Sequence, residues 1–182
     1  SVLTAIEAGA TVINIPDTVG YQTPWAFEEL IRGVYRAVPQ LRNVLVSVHC
    51  HNDLGLAVVN SLAGFRAGAR QVEGCFLGIG ERAGNADLEQ IVMALNVRSD
   101  FFKCRTNIVT EKIGPTCRFI SQEIGYQFED HKPIIGRRAF SHSSGIHDNG
   151  VQKDPRTYEI MTAKSVGWVG TTRELVSHLG RS

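Results

Sequence analysis

Along the first half of the chain the apolar positions switch repeatedly between helix and strand spacing. Ser1–Ala8 reads as the end of a helix stopped by Gly9. Residues 11–16 (TVINIP) are a short β-branched run, predicted as a buried strand. Thr23 and Pro24 open a helix, the threonine as N-cap and the proline at the first helical position. Phe27, Leu30, Ile31, Val34 and Val38 share one face of it, and Pro39 ends it. Val44–His49 is the next predicted strand, and a helix follows from about Leu54 to Ala67, stopping at Gly68. Gln71–Leu77 is a third predicted strand. Asp87–Val97 is a further helix, with Leu88, Ile91, Val92 and Leu95 on one side.

An internal echo supports this division. Glu-Ala-Gly-Ala at 7–10 leads into the first strand, and Arg-Ala-Gly-Ala at 66–69 leads into the third. The echo spans two units, so each strand-plus-helix unit is about 30 residues, the size of a βα repeat. Repeated βα units imply a parallel sheet, open or closed. Three strands cannot close the eight-stranded barrel, so in a barrel they are its last part. The predicted fold class is therefore α/β: the C-terminal portion of a (β/α)8 barrel over residues 1–98, then a linker and small helical region over 99–182. In that second half Phe101–Gly114 reads as irregular and Thr116–Ile124 as a short helix. Residues 130–150 are rich in Gly, His and Ser, with no evident core.

Composition changes the picture mainly by exclusion. The 182 residues are 43% hydrophobic and 20% charged, with a formal net charge of +1. Near neutrality argues against a nucleic-acid face, and no apolar run approaches the roughly 20 residues that span a bilayer. A cytoplasmic location is expected. Organellar targeting stays open, because the chain begins in what reads as the middle of a helix. Cys50, Cys75, Cys104 and Cys117 form no C-x-x-C pair and no disulfide framework, as in a protein with reduced thiols.

Polar residues with chemical potential gather where predicted strands end, the place where βα barrels carry function. In VHCHND (48–53) the period of two puts His49 and His51 on one face and Cys50 on the other. Two imidazoles on one face suit a divalent ion, and two histidines satisfied by neighbouring hydrogen bonds are the alternative. The loop GIGERAGN (78–85) supplies Glu81, Arg82 and Asn85 on a flexible backbone, or is a Gly-rich turn with a surface ion pair. It lacks the Lys-Ser/Thr ending of a phosphate loop. PDTVG (16–20) offers the Thr18 hydroxyl to a carboxylate, or simply caps its loop through Asp17 and Thr18. In FSHSSGIHDNG (140–150), followed by TYE at 157–159, His142 and His147 are candidate acid–base groups or members of a polar surface loop.

Taken together, INIPDTVGY (13–21), SVHCHNDLGLAV (47–58), GIGERAGNADLEQIVMAL (78–95) and SSGIHDNGV (143–151) with TYEIM (157–161) resemble the 2-isopropylmalate synthase family. That family lies in a larger group that includes homocitrate and citramalate synthases. The motifs are long, come in the family's order and carry the likeness to about Gly167. The resemblance implies a TIM barrel followed by helical subdomains. It implies an acyltransferase that condenses acetyl-CoA with 3-methyl-2-oxobutanoate to give 2-isopropylmalate and CoA, the first committed step of leucine biosynthesis. On this likeness His49, His51 and Asn85 are metal-site residues for Mn, Mg or Zn, and Thr18 contacts the 2-oxo acid. His147 and Tyr158 carry proton transfer, reaching the partner subunit's site in a homodimer.

The sequence also departs from the family. No Arg-Asp-Gly-type motif of the first barrel strand is present, and the tail Ser165–Ser182 matches poorly. Two imidazoles and an amide make a weak site without a carboxylate, so the chain alone is expected to have little or no activity. The alternatives are a citramalate, methylthioalkylmalate or homocitrate synthase of the same family, or a non-catalytic truncated dimerisation module. Asn85 argues mildly against the homocitrate branch.

Overall fold

A computed structural model describes residues 1–142 and 144–168 and divides the chain into two compact units, Ser1–Ile91 and Val92–Ser182. The first unit follows the βα reading. Its elements are α1 (Val2–Glu7), β1 (Val12–Asp17), α2 (Pro24–Ala37), β2 (Leu45–Cys50), α3 (Ala57–Ala67) and β3 (Gln71–Glu73); α4 (Leu88–Val97) begins at its end. The strands form one parallel sheet in the order β1-β2-β3. Both halves of the sequence echo place a positive-φ glycine between a helix and a strand, Gly9 at 97° and Gly68 at 128°.

Register divides the sheet into two unlike faces. Ile13 pairs with Val46, Ile15 with Val48 and Val48 with Val72, which makes one face apolar. Helix α3 packs on that face through a close approach. A methyl group on Gly64 would lie 2.9 Å from Val48 Cγ1 and 3.1 Å from Phe27 Cε1, so the glycine lets α3 sit against both β2 and α2. Phe27, Ile31, Val46 and Val48 are buried there. Cys50 lies on this face too, turned away from the histidines as alternation requires, and burial pushes its thiol up to about 12. The other face carries Asn14, Ser47 and Gln71 in one row, then Pro16, His49 and Glu73 in the next.

Several boundaries differ from the sequence reading, each through a specific contact. Thr23 caps α2 as expected, its hydroxyl accepting from Ala26 N, but only Phe27 and Ile31 of the predicted stripe are fully buried and Leu30 is exposed. Helix α3 starts at Ala57 rather than Leu54, because Asn52 accepts the Ala57 amide and residues 52–55 form a turn. The third strand stops at Glu73 rather than Leu77. A Cβ on Gly74 would lie 2.5 Å from Ala86 O, and Leu77 takes a φ of 63° in a 3-10 turn. Both oxygens of the fully buried Glu89 carboxylate accept the Leu77 amide at 3.2 Å, which holds that turn.

The second unit contains α5 (Ser99–Phe102), α6 (Ile113–Ile124) and α7 (Gly145–Lys153). It has more internal order than its sequence suggested. Ile113, Cys117, Ile135, Phe140 and Val166 are buried. Arg118 donates to Gly167 O at 3.0 Å, and the Phe140 and Trp168 rings lie 6.1 Å apart. These residues are scattered over more than 50 positions without a common period, which hid them from a pattern search. Among the described residues no helix is long and apolar enough to cross a membrane.

Candidate functional site

The polar groups at the three strand ends are brought together within the first unit. Alternation along β2 projects His49 and His51 from the same face, with ring centroids 5.0 Å apart and planes at 82°. His51 also forms an antiparallel bridge with Asn85, which seats the loop after β3 beside the histidines. The Asn85 amide is fixed by its own donors: Nδ2 donates to Ile79 O at 3.0 Å and to Cys75 Sγ at 3.2 Å. Its oxygen therefore faces away from those partners.

Glycine makes this packing possible. A Cβ on Gly80 would lie 2.3 Å from Asn85 Nδ2. At Gly84, with a φ of 96°, it would lie 2.1 Å from Gly78 O. Gly80 is held against the Asn85 side chain and Gly84 against the Gly78 carbonyl, so a larger residue at either place would force the loop to shift.

Arg82 joins the three strand ends. Its guanidinium donates to both Asp53 oxygens, at 2.8 and 3.0 Å, and to Thr18 O at 2.7 Å. One side chain from the β3 loop thus holds the loops after β1 and β2. The fork on Asp53 lowers that carboxyl below the usual carboxylate range, first through its hydrogen bonds to Arg82. Arg82 itself has a φ of 54°, a costly conformation for a side-chain-bearing residue that the fork holds in place. Glu81, in contrast, points outward, its side chain 84% exposed.

At the β1 end, Asp17 is a structural residue. Its buried carboxylate accepts from Tyr21 N at 3.1 Å, Gln22 N at 3.2 Å and Asn60 Nδ2 at 3.3 Å. Thr18 lies exposed in the turn that Asp17 fixes, next to the Arg82 contact. Of the pair, Asp17 caps the loop and Thr18 is left available to solvent.

The buried polar atoms test whether these residues suit a metal ion. His49 Nδ1, His51 Nδ1 and Asn85 Oδ1 are each buried with no hydrogen-bond partner in the protein. Unpaired buried polar atoms are costly, and native proteins seldom tolerate several side by side. Two imidazole nitrogens and an amide oxygen are all lone-pair donors suited to a divalent cation. Among the described residues no three His, Cys, Asp or Glu side chains form a group that could hold a metal ion, so these three atoms alone would make only part of a coordination shell.

The second unit holds the other predicted residues. His147 is exposed on α7, and its ring lies 4.4 Å from that of Tyr158, the planes tilted by 35°. Gly150 permits this, since a Cβ there would meet Tyr158 Cε2 at 2.5 Å. His142 joins the group at 6.5 Å from His147 and 6.4 Å from Tyr158, with Nε2 3.7 Å from Glu159 Oε1. Sequence reasoning missed Glu89 and the joining role of Arg82. The signal for Arg82 was its place in a Gly-rich loop, which gives no partner.

Comparison with known proteins now bears on these arrangements. Residues 1–120 match the HMGL-like family model, and residues 134–182 match the homocitrate synthase post-HMGL domain-like model. The second match corrects the reading of the tail Ser165–Ser182 as unlike the family: the likeness continues there without a compact motif to announce it. The 2-isopropylmalate synthase of Solidesulfovibrio magneticus is 56% identical over 177 residues, covering 97% of this chain and 34% of that protein. A putative 2-isopropylmalate synthase of Buchnera aphidicola is 49% identical, covering 98% of this chain and 46% of that one. The chain thus spans between about a third and a half of these relatives' lengths. Hydroxymethylglutaryl-CoA lyase from Pseudomonas aeruginosa shares the fold, with a TM-score of 0.60 at 22% identity over 69% of this chain and 42% of that one. The parallel βα arrangement is part of a TIM-type barrel.

Proposed function

From the premise that this chain belongs to the HMGL-like family, we propose that it is the C-terminal barrel portion and following helical region of a 2-isopropylmalate synthase. The reaction joins acetyl-CoA to 3-methyl-2-oxobutanoate and, with water, releases 2-isopropylmalate and CoA. The observation that carries this reading is that His49 Nδ1, His51 Nδ1 and Asn85 Oδ1, on neighbouring residues at strand C-terminal ends, are each buried without a hydrogen-bond partner.

In this reading His49, His51 and Asn85 hold a divalent ion, Mn, Mg or Zn, completed by a carboxylate from elsewhere in the full-length enzyme. When bound, that ion polarises the ketone of the 2-oxo acid and offsets the negative charge that develops on its oxygen. Thr18 donates its hydroxyl to the substrate carboxylate from a turn that Asp17 and Arg82 keep in place. His147, with Tyr158 against its ring, takes a proton from the acetyl methyl group. The resulting enolate carbon forms the new bond to the ketone carbon. Water then cleaves the thioester, and CoA leaves. In the homodimer His147 and Tyr158 serve the partner subunit's barrel.

A CoA-release assay tests this reading. The chain alone and a version extended upstream through the rest of the barrel are given acetyl-CoA, Mg²⁺ or Mn²⁺, and 3-methyl-2-oxobutanoate, pyruvate or 2-oxoglutarate in turn. The extended protein is expected to release CoA fastest with 3-methyl-2-oxobutanoate, and the chain alone to release little or none. Preference for pyruvate or 2-oxoglutarate would move the assignment to a citramalate or homocitrate synthase. No release with any of them would overturn the synthase reading.

A further inference from the structure

Glu73 is a half-buried charge that the proposed chemistry does not use. It ends β3 on the same sheet face as His49, and the two are paired in register across adjacent strands. Neighbouring strands run about 4.8 Å apart, so the Glu73 backbone lies beside that of His49 while its carboxylate reaches the row of Asn14, Ser47 and Gln71. Its oxygens accept from all three strands of the sheet. Ser47 Oγ donates to Oε1 at 2.7 Å from β2, and Asn14 Nδ2 donates to Oε2 at 3.2 Å from β1. Gln71 Nε2 donates to Oε1 at 3.1 Å from β3 itself.

Every one of these donors is neutral. Among the described residues no Lys, Arg or His side chain forms an ion pair with Glu73. The hydrogen bonds therefore fix the carboxylate and satisfy its lone pairs without cancelling its charge. They also turn the donors of Asn14, Ser47 and Gln71 toward Glu73. The sheet face behind His49 is left anionic. A part-buried carboxylate held by neutral donors keeps its charge, and that charge attracts a cation bound nearby.

We propose that Glu73 is a positioning residue for the metal centre: its fixed negative charge, held by Asn14, Ser47 and Gln71, raises the affinity of the His49, His51 and Asn85 site for a divalent cation. This rests on the metal-site reading above. At a separation of roughly 8 Å and an effective dielectric of about 60, one carboxylate charge changes a divalent ion's affinity by about tenfold.

The test is a titration of the upstream-extended protein with Mn²⁺ at low salt, followed by paramagnetic broadening of the His49, His51 and Asn85 resonances, with urea denaturation run on every variant. Wild type is expected to show saturable broadening at those residues, and Glu73→Gln to need about tenfold more Mn²⁺ at an unchanged unfolding midpoint. Added salt should narrow the gap between the two, because the effect is one of charge. Glu73→Asp, which keeps the charge, should stay within about threefold of wild type. It keeps the idea testable if the glutamine variant does not fold. Equal affinity for wild type and a folded Glu73→Gln would overturn the role of Glu73, as would a folded Glu73→Asp that binds tenfold more weakly. Absence of broadening in wild type would instead remove the metal-site reading itself.

Discussion

In the complete barrel, His51→Ala is expected to lower the rate of CoA release by about a thousandfold while leaving the unfolding midpoint nearly unchanged. The size follows from what the ring supplies. His51 contributes one of the two imidazoles among the three lone-pair donors of the proposed site. An amide and a single imidazole make a poor site for a divalent ion, so metal occupancy and carbonyl polarisation should fall together. Stability should survive, because the His51 Nδ1 atom removed is buried without a partner and its loss leaves no new orphan. Paired turnover and urea measurements check this. Activity within tenfold of wild type at saturating Mn²⁺ would take His51 out of the site.

Phe27→Ala carries the largest expected cost in stability. Phe27 is fully buried on α2, and its ring edge packs where Gly64 lets α3 approach β2. Removing a buried phenyl group from such a contact costs about 3–5 kcal/mol, because close neighbours fill the void only in part. That is a large share of the ~5–15 kcal/mol that holds a typical domain together. In urea, with a slope of about 1–3 kcal/mol per molar, the midpoint should fall by at least about 1 M. A loss under about 1 kcal/mol would mean that the α2–α3–β2 contact is not the core of the first unit.

The βα order was readable because its signals are local. Strand residues 12–16 and 45–50 are β-branched or alternate strictly, and Thr23-Pro24 announces a helix start with its own chemistry. The pairing of His49 with His51 followed from the strand period alone, and so did the opposite orientation of Cys50. What stayed hidden depends on contacts between distant residues. Strand β3 was cut short by the backbone of Ala86 and by the Glu89 carboxylate, which holds the amide of Leu77 twelve positions earlier. No window around residues 71–77 contains that information. Arg82 read as half of a surface ion pair, yet it bonds residues 29 and 64 positions away. Glu73 carried no motif at all. Its meaning comes from register, which places it beside His49 and under donors from β1 and β2.

The proposed function turns on whether His49, His51 and Asn85 hold the divalent ion of a condensing enzyme. Pulsed electron paramagnetic resonance of Mn²⁺ bound to the upstream-extended protein tests it most directly, because it counts imidazole nitrogens coupled to the ion. Two such nitrogens are predicted in wild type, with one remaining in His49→Ala and one in His51→Ala. A Mn²⁺ signal without imidazole coupling, in protein that still releases CoA, would contradict the account.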